Sequence, residues 1–512
     1  MSSTLSGMSS INNHYLVKQE RRNNKLAIHR LSAEVLSRIM FIGVKSDWSV
    51  RCWGSRKVGS QEIASHVCRY WRIVAINTPM LWTNVHIESI FPTPRDILYL
   101  IRAGSTIPLD IVIDLASAFD NVDLEKDMKL ILLSGMMRAL TSQGAQTTRW
   151  RSLLLRIDHN NSGMLSGLLE WLGQNPVPSL RRLYFDFSCS KDSSAFRWPG
   201  DIDTTTNDTI ISENARAYLR SLSSNLLCYE LVLPGAYTFG LTRDMFTRLR
   251  ELTIISHKIT SNELSTLLLS NQQLEYLCLG NADDRIPRNS FHNLAQPDNS
   301  AIHRTVAPAL CSLFIGTDSD TNWALRMLMT IEATELQEFA LKCNACSSEA
   351  LQRVVTYINM GPNARPIFPS LQNLDLSRFT CKKDQFISLV SSFPELPHIA
   401  VKGNQLQWLN EVPSMLPQLE SLGVLDIPAY ADSVKKFISR QEATGHPIKE
   451  VEAQGVSQGC LKRISVQHRP PRLLLNSPFA PPGYEYSKYE YDIIGDLQSL
   501  RRRSTGSWRT AA

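Results

Sequence analysis

The sequence lacks any apolar segment that is long enough to cross a bilayer. Its aliphatic runs, such as those at 131–133 and 153–155, are far shorter than the about 20 apolar residues that a transmembrane helix needs. No charged-then-apolar signal segment stands at the N-terminus. These absences predict a protein that makes no use of a membrane.

Charge of one sign is also not in large excess. The 512 residues include 54 basic and 48 acidic side chains, for a formal net charge of +6. A nucleic-acid-binding protein usually concentrates a larger basic excess on one face, so we expect no nucleic-acid partner. With 43% apolar and 20% charged residues, the composition is that of a globular protein, and the length predicts several domains or one elongated repeat array.

Cysteine is sparse and irregularly spaced. The ten cysteines favour reduced thiols over a disulfide framework, which predicts a cytoplasmic and/or nuclear location. Cys343 and Cys346 form a single CxxC without the second ligand pair that a zinc site needs. We therefore expect no metal and no cofactor.

Motifs that carry catalysis are missing as well. The sequence has no phosphate-binding glycine loop and no nucleophile elbow, so we expect no catalytic residue and no enzyme. A hydrolase within a degenerate α/β body stays an alternative, and it would require a nucleophile, a base and an orienting group clustered by the fold.

Two amphipathic helices are predicted near the N-terminus. The first begins after Ser32, a suitable N-cap, and carries an apolar stripe up to a polar, Gly- and Ser-containing stretch at 45–60. The second carries one stripe from Ile63 to Ala75 and ends before Pro79, because the residue preceding proline is disfavoured in helical conformation.

These segments resemble an F-box, the module that connects a protein to a cullin-based ubiquitin ligase. The resemblance covers residues 29–84 and is similar to versions from mushroom-forming fungi; it rests on Leu31, Glu34, Leu36 and Ile39, and on Val67, Cys68, Trp71, Ala75, Pro79, Leu81 and Trp82. The resemblance implies that a Skp-type adaptor, and through it a cullin, binds this module. The implied adaptor-contacting or core residues are Leu31, Leu36, Ile39, Val67, Trp71 and Leu81.

A leucine pattern recurs beyond residue 84. Leu-x-x-Leu-x-Leu or a variant begins at Leu180, Leu226, Leu249, Leu274, Leu310, Leu336, Leu371, Leu396 and Leu419, with a degraded instance at Ile448. Several intervals are 23 to 29 residues, the length of one strand-plus-return unit. Apolar residues at helical spacing in 262–269 and 384–390 complete the unit as strand then helix. Earlier strands are predicted at 82–87, 109–113 and 153–157.

This pattern resembles degenerate leucine-rich repeats over residues 85–468. The implied fold class is α/β: a small all-helical F-box followed by a solenoid of parallel strands with outer helices. Because side chains alternate faces along a strand, we expect one face to be open to a partner. Glu251 and Thr253 belong to that face, and the candidate substrate-binding residues on it are Tyr276, Glu338, Lys342, Asn373 and Asp375.

The sequence thus predicts four segments: a disordered leader (1–28), the F-box (29–84), the solenoid (85–468) and a disordered tail (469–512). The predicted function is that of the substrate-recognition subunit of an SCF-type ligase, with an unknown protein as substrate. The alternative is an interaction scaffold outside any ligase with a vestigial F-box, which is suggested by Ser32, where the family usually has proline, and by the long connector at 45–60.

Overall fold

A computed structural model gives the architecture of the chain. It describes residues 27–51, 59–115, 126–156, 163–186, 227–232, 247–255, 259–280, 303–317, 320–343, 347–361, 365–412, 415–425 and 430–454. The predicted tail (469–512), most of the predicted leader and Cys346 lie outside these residues.

The chain begins with a helical module, residues 27–82. It comprises a 3-10 turn (Ala27–Arg30), helices α1 (Ala33–Arg51), α2 (Ser60–Val67) and α3 (Arg69–Ile76), and a second 3-10 turn (Pro79–Trp82). Ser32 caps α1, because its hydroxyl oxygen accepts a hydrogen bond from the Val35 amide at 3.4 Å.

The predicted boundaries of these helices were wrong in two respects. Helix α1 continues to Arg51, through the first part of the stretch that was expected to end it. The second helix is divided at Cys68, whose backbone is extended (φ −160°, ψ 174°). The Cys68 thiol accepts a hydrogen bond from the Trp71 amide at 3.4 Å, so this residue ends α2 and also caps α3.

The rest of the described chain forms a sheet body, residues 84–454. Its strands are β1 (Asn84–Ile87), β2 (Leu109–Asp114), β3 (Trp150–Arg156), β4 (Arg182–Asp186), β5 (Cys228–Val232), β6 (Glu251–Ile255), β7 (Tyr276–Gly280), β8 (Thr305–Val306), β9 (Ser312–Thr317), β10 (Ile331–Glu332), β11 (Glu338–Cys343), β12 (Asn373–Asp375), β13 (His398–Lys402), β14 (Ser421–Leu425) and β15 (Glu450–Gln454).

All described strands except β8 and β10 pair in parallel to form one sheet, and they follow each other across it in chain order. The short strands β8 and β10 pair with each other. A parallel neighbour can be reached only through a crossover connection, and here the described crossovers are mostly helical. The class is therefore α/β with a parallel sheet, compatible with a solenoid-like arrangement.

The return helices are α4 (Pro94–Ala103), α5 (Lys126–Ser142), α6 (Gly163–Gln174), α7 (Ser261–Ser270), α8 (Thr321–Thr330), α9 (Ser348–Met360), α10 (Lys383–Ser391), α11 (Gly403–Glu411) and α12 (Ala431–Ala443). Consecutive helices from α7 to α12 pack against each other, as do α5 and α6. The helices predicted at 262–269 and 384–390 correspond to α7 and α10.

The repeated leucines locate the strands closely. Each strand from β4 to β15 in the large sheet begins two residues after one of the ten positions that the pattern identified. For example, β4 begins at Arg182, two residues after Leu180, and β15 begins at Glu450, two residues after Ile448. Leu180, Leu249 and Leu310 are completely buried. Leucines of this pattern therefore fill the core where the described strands β4, β6 and β9 begin.

Buried polar side chains join neighbouring units. Gln385 accepts a hydrogen bond from the Lys382 amide at 3.0 Å and donates one to the Ser348 carbonyl oxygen at 2.6 Å. Gln405 repeats this arrangement with the Lys402 amide and the Phe379 carbonyl oxygen. Each glutamine thus satisfies a donor at its own helix start and also an acceptor on the preceding unit.

One hydrophobic core runs the length of the described chain, from Leu36 in α1 to Ile448 before β15. No described helix has the combination of length and apolar character that a membrane span would need.

Candidate protein-docking surface

The helices of the module bury one face against the sheet body. In α1, Leu36, Met40 and Val44 follow each other at intervals of four residues and are at most 5% exposed. Val74 and Ala75 supply the corresponding buried residues of α3. A spacing of four places side chains along one side of a helix, so this inner face completes the hydrophobic core.

A second set of apolar side chains points away from that core. Its members lie 38% to 59% exposed and come from all three helices: Val35, Ile39 and Ile42 from α1, Ile63 and Val67 from α2, and Ile73 and Ile76 from α3. We call these seven residues the outer apolar surface. The three helices contact one another, which gathers their outer faces on one module.

Seven exposed aliphatic side chains on three adjacent helices are unusual for a surface that only contacts water. Single exposed apolar residues are ordinary on protein surfaces, whereas groups of them mark interaction sites. On α1 the spacing of Val35, Ile39 and Ile42 is that of a continuous apolar stripe, on the side of the helix away from Leu36 and Met40. Helix α1 is thus apolar on two sides, and the described structure covers only one.

The break at Cys68 determines which residues of α2 reach this surface. If the helix continued through Cys68, Ile63, Val67 and Val74 would share one stripe. Instead, Ile63 and Val67 are 56% and 51% exposed, and Val74 is 5% exposed. The sequence pattern gave no indication of this separation, because a cysteine between two helical segments carries no strong local signal for a break.

Polar contacts hold the module together. The Tyr70 hydroxyl donates a hydrogen bond to the Leu31 carbonyl oxygen at 2.9 Å, which joins α3 to the start of α1. The Trp82 indole N–H donates to the Ala75 carbonyl oxygen at 2.8 Å. Trp82 is completely buried, and the Tyr99 ring of α4 packs edge-on against it at 5.1 Å. Trp82 therefore anchors the end of α3 and the first unit of the sheet body.

A second junction connects α2 to α4. The Tyr99 hydroxyl donates to Glu62 Oε1 at 2.7 Å and accepts from Gln61 Nε2 at 2.9 Å. Arg95 Nε also donates to Glu62 Oε1, at 2.5 Å. Burial opposes ionisation of Glu62, but the hydrogen bonds from Tyr99 and Arg95 outweigh it and lower the pKa of this carboxyl. Burial, followed by the bond to Glu62, raises the pKa of Tyr99.

The structure divides the six predicted adaptor-contacting residues into three groups. Ile39 and Val67 lie on the outer apolar surface, and Leu31 and Trp71 are half-buried. Leu36 and Leu81 are completely buried and have no surface to offer a partner. Sequence analysis missed Val35, Ile42, Ile63, Ile73 and Ile76 as docking candidates, although the spacing of Ile42 from Val35 and Ile39 was a signal for an outer stripe.

The predicted substrate-binding residues lie together on the face of the sheet opposite to the main core. Strand register places Tyr276, Glu338 and Asn373 in one row across β7, β9, β11 and β12. Asp375 lies in the next row, beside Ala340, and Lys342 lies in a third row. Neighbouring strands are about 4.8 Å apart, so the five side chains occupy one continuous area.

The exposure of this face differs from the expectation. Glu251 is exposed, whereas Thr253 and the five candidate residues are half-buried. One cause is a small apolar cluster on the same face, formed by Cys278, Phe314 and Ala340, with Tyr276 packed against it. The Phe314 ring extends over Gly316 of the same strand, because a Cβ added at Gly316 would be only 2.8 Å from Phe314 Cε1. This part of the face is therefore mainly apolar.

The described residues include no group of three His, Cys, Asp or Glu side chains arranged to hold a metal ion. Cys343 is buried in β11, at 1% exposure.

Comparison with known proteins adds little to this geometry. No family model and no curated protein matches the chain. A solved structure from Bacteroides fragilis, determined by a structural genomics consortium, matches with a TM-score of 0.32 and 11% identity, over 57% of this chain and 70% of that one. A likeness at this level supports no inference about fold or function.

Proposed function

We propose that this chain is the substrate-recognition subunit of an SCF-type cullin ubiquitin ligase. In this proposal the helical module is an F-box that binds a Skp-type adaptor, and through it a cullin. The sheet body is a degenerate leucine-rich-repeat solenoid that binds a protein substrate. The complex acts in the cytoplasm and/or nucleus, and the chain itself has no catalytic residue, metal or cofactor.

The observation that supports this proposal most directly is the outer apolar surface. The three helices of the module complete the core with one face and still present seven aliphatic side chains away from it. Removing such side chains from water contributes roughly 25 cal/mol per Å², so a partner that covers them gains affinity. The F-box resemblance of residues 29–84 names a Skp-type adaptor as that partner.

The geometry of the junction supports the second half of the proposal. The Glu62–Tyr99 hydrogen bond and the edge-on ring contact between Trp82 and Tyr99 attach the module directly to the first sheet unit. A substrate on the open face would therefore be held at a defined distance from a bound adaptor. Such positioning accelerates transfer to the substrate by raising the effective concentration of its lysines.

The test uses substitutions on the outer surface. We expect purified Ile39→Asp/Val67→Asp protein to lose binding to a recombinant Skp-type adaptor while its thermal unfolding midpoint stays unchanged. Leu269→Asp, at an exposed leucine of α7, is the matched control and should bind as the unsubstituted chain does. Adaptor binding that survives the double substitution would count against the proposal.

A second candidate function is an interaction scaffold with a vestigial F-box. It is favoured by the complete burial of Leu36 and Leu81, because these leucines then stabilise the core whether or not an adaptor binds. The two functions predict different results after proteasome inhibition. A ligase subunit should have a ubiquitylated client that accumulates and that is released by Glu338→Arg/Asn373→Arg, whereas a scaffold should have none.

A further inference from the structure

The border of the outer apolar surface is mainly basic. Among the described side chains of the module, the exposed cations are Arg30, Arg38, Lys45, Arg69 and Arg72, whereas Glu34 is the one exposed carboxylate. The sequence as a whole has nearly balanced charges. The basic excess is therefore a local property of this surface.

The cations stand one helical turn from the apolar side chains. Arg38 follows Val35 by three residues and precedes Ile42 by four, which places it beside the α1 stripe. Arg69 and Arg72 precede Ile73 and Ile76, respectively, by four residues. The basic groups are thus surface neighbours of the apolar side chains on α1 and α3.

Two of these cations, Arg38 and Arg72, keep their charge available to a partner. Within the described part of the chain, neither Arg38 nor Arg72 has a carboxylate within ion-pair distance. Arg72 uses its Nε to donate to the Ser65 carbonyl oxygen at 2.8 Å, and this bond leaves its charge uncompensated. Each of these two guanidinium groups can therefore donate hydrogen bonds to a carboxylate of a partner.

We infer that the protein covering the outer apolar surface has an apolar groove bordered by carboxylates. This inference rests on the proposed function and adds the chemistry of the partner. Complementary charges at the edge of an interface mainly accelerate encounter, and salt screens them. The apolar residues at the centre mainly set how slowly the complex separates.

An anionic membrane is a different partner that basic and apolar residues together can attract. The geometry favours a protein. The seven apolar side chains are only about half exposed and are spread over three helices that are fixed against the core, whereas a membrane-bound helix inserts one whole apolar face.

The experiment measures association kinetics with a purified recombinant Skp-type adaptor at low and physiological ionic strength. We expect Arg38→Glu/Arg72→Glu to reduce the association rate constant about tenfold or more at low salt, with a smaller difference at higher salt. Lys435→Glu/Lys436→Glu, at exposed positions of α12, makes the same charge change elsewhere and should leave the rate constant nearly unaltered.

The outcomes separate this inference from the proposed function. If the unsubstituted chain fails to bind the adaptor at any ionic strength, the proposed function is wrong and the inference falls with it. If the adaptor binds and the two double variants associate equally fast, only the inference is overturned. Binding of the unsubstituted chain to phosphatidylserine vesicles that Arg38→Glu/Arg72→Glu abolishes would also overturn it.

Discussion

The hydroxyl of Tyr99 donates a 2.7 Å hydrogen bond to Glu62 Oε1, and this bond joins α2 of the helical module to α4 of the sheet body. Tyr99 is only 5% exposed. The same hydroxyl accepts from Gln61 Nε2, so one phenolic group satisfies two residues of α2. This contact is one of those that fix the module against the sheet body, beside the Trp82–Tyr99 ring contact.

Replacing Tyr99 with phenylalanine should therefore weaken the junction. The substitution removes one donor and one acceptor and leaves buried Gln61 Nε2 unsatisfied, a loss of about 1–3 kcal/mol in the free energy of unfolding. Urea denaturation measures this change. Tyr430→Phe, at the half-buried tyrosine before α12, is the control, and an equal loss there would show that the Glu62 contact is not the cause.

Glu62 should make stability depend on pH in the acid range. Its pKa in the folded protein is lowered, so its contribution is present above the ordinary glutamate pKa of about 4.3 and is lost as the pH falls through the folded value. The difference in unfolding free energy between the unsubstituted chain and Glu62→Gln should shrink as the pH decreases below that range. A difference that stays constant down to pH 2 would contradict the assignment.

Trp82 should contribute more to the free energy of unfolding than any exposed residue of the module. It is completely buried, donates to the Ala75 carbonyl oxygen, and has the Arg102 guanidinium 4.2 Å from its ring centroid. We expect Trp82→Ala to lower the free energy of unfolding by about 3–5 kcal/mol. Met80→Ala, two residues earlier and 41% exposed, should change it little; comparable losses would argue against Trp82 as the anchor.

Gly361, after α9, should not tolerate a side chain. Its φ is +38°, and an added Cβ would lie 2.8 Å from the Arg365 carbonyl oxygen. Gly445 after α12 also has a positive φ, of +85°, but open space around the same position. Gly445→Ala should cost about 1 kcal/mol through backbone strain alone, and Gly361→Ala should cost clearly more. Equal thermal shifts would show that the carbonyl contact is relieved.

Gln405 should not tolerate replacement by the isosteric glutamate. It is 1% exposed, and its amide N–H₂ donates to the Phe379 carbonyl oxygen. Gln405→Glu keeps the acceptor for the Lys402 amide but places a carboxylate against a carbonyl oxygen, which we expect to cost about 1–3 kcal/mol or more at neutral pH. Gln352→Glu, exposed on α9, is the control. Denaturation at pH 4 and pH 7 should show that acid relieves the cost at 405 alone.

The strands could be predicted because their signal is local. A leucine or isoleucine stands two residues before each strand of the large sheet from β4 to β15. This signal, together with alternating burial within a strand, depends only on neighbours along the chain. Leu277 and Leu279, for example, enter the core, and Cys278 between them faces the opposite side. The partial burial of the side chains on the open face could not be predicted in this way. The Phe314 cluster forms across three strands that are distant in sequence.

What the sequence alone determined is the order of strands and helices and the presence of apolar stripes in the module, because periodicity along a chain sets which side chains share a face. Only the tertiary structure decided which stripe is covered. Leu36 and Ile39 are equally apolar and three residues apart, yet one is completely buried and the other is 45% exposed. The physical reason is that burial depends on what packs against a face, and the sheet body reaches only one side of α1.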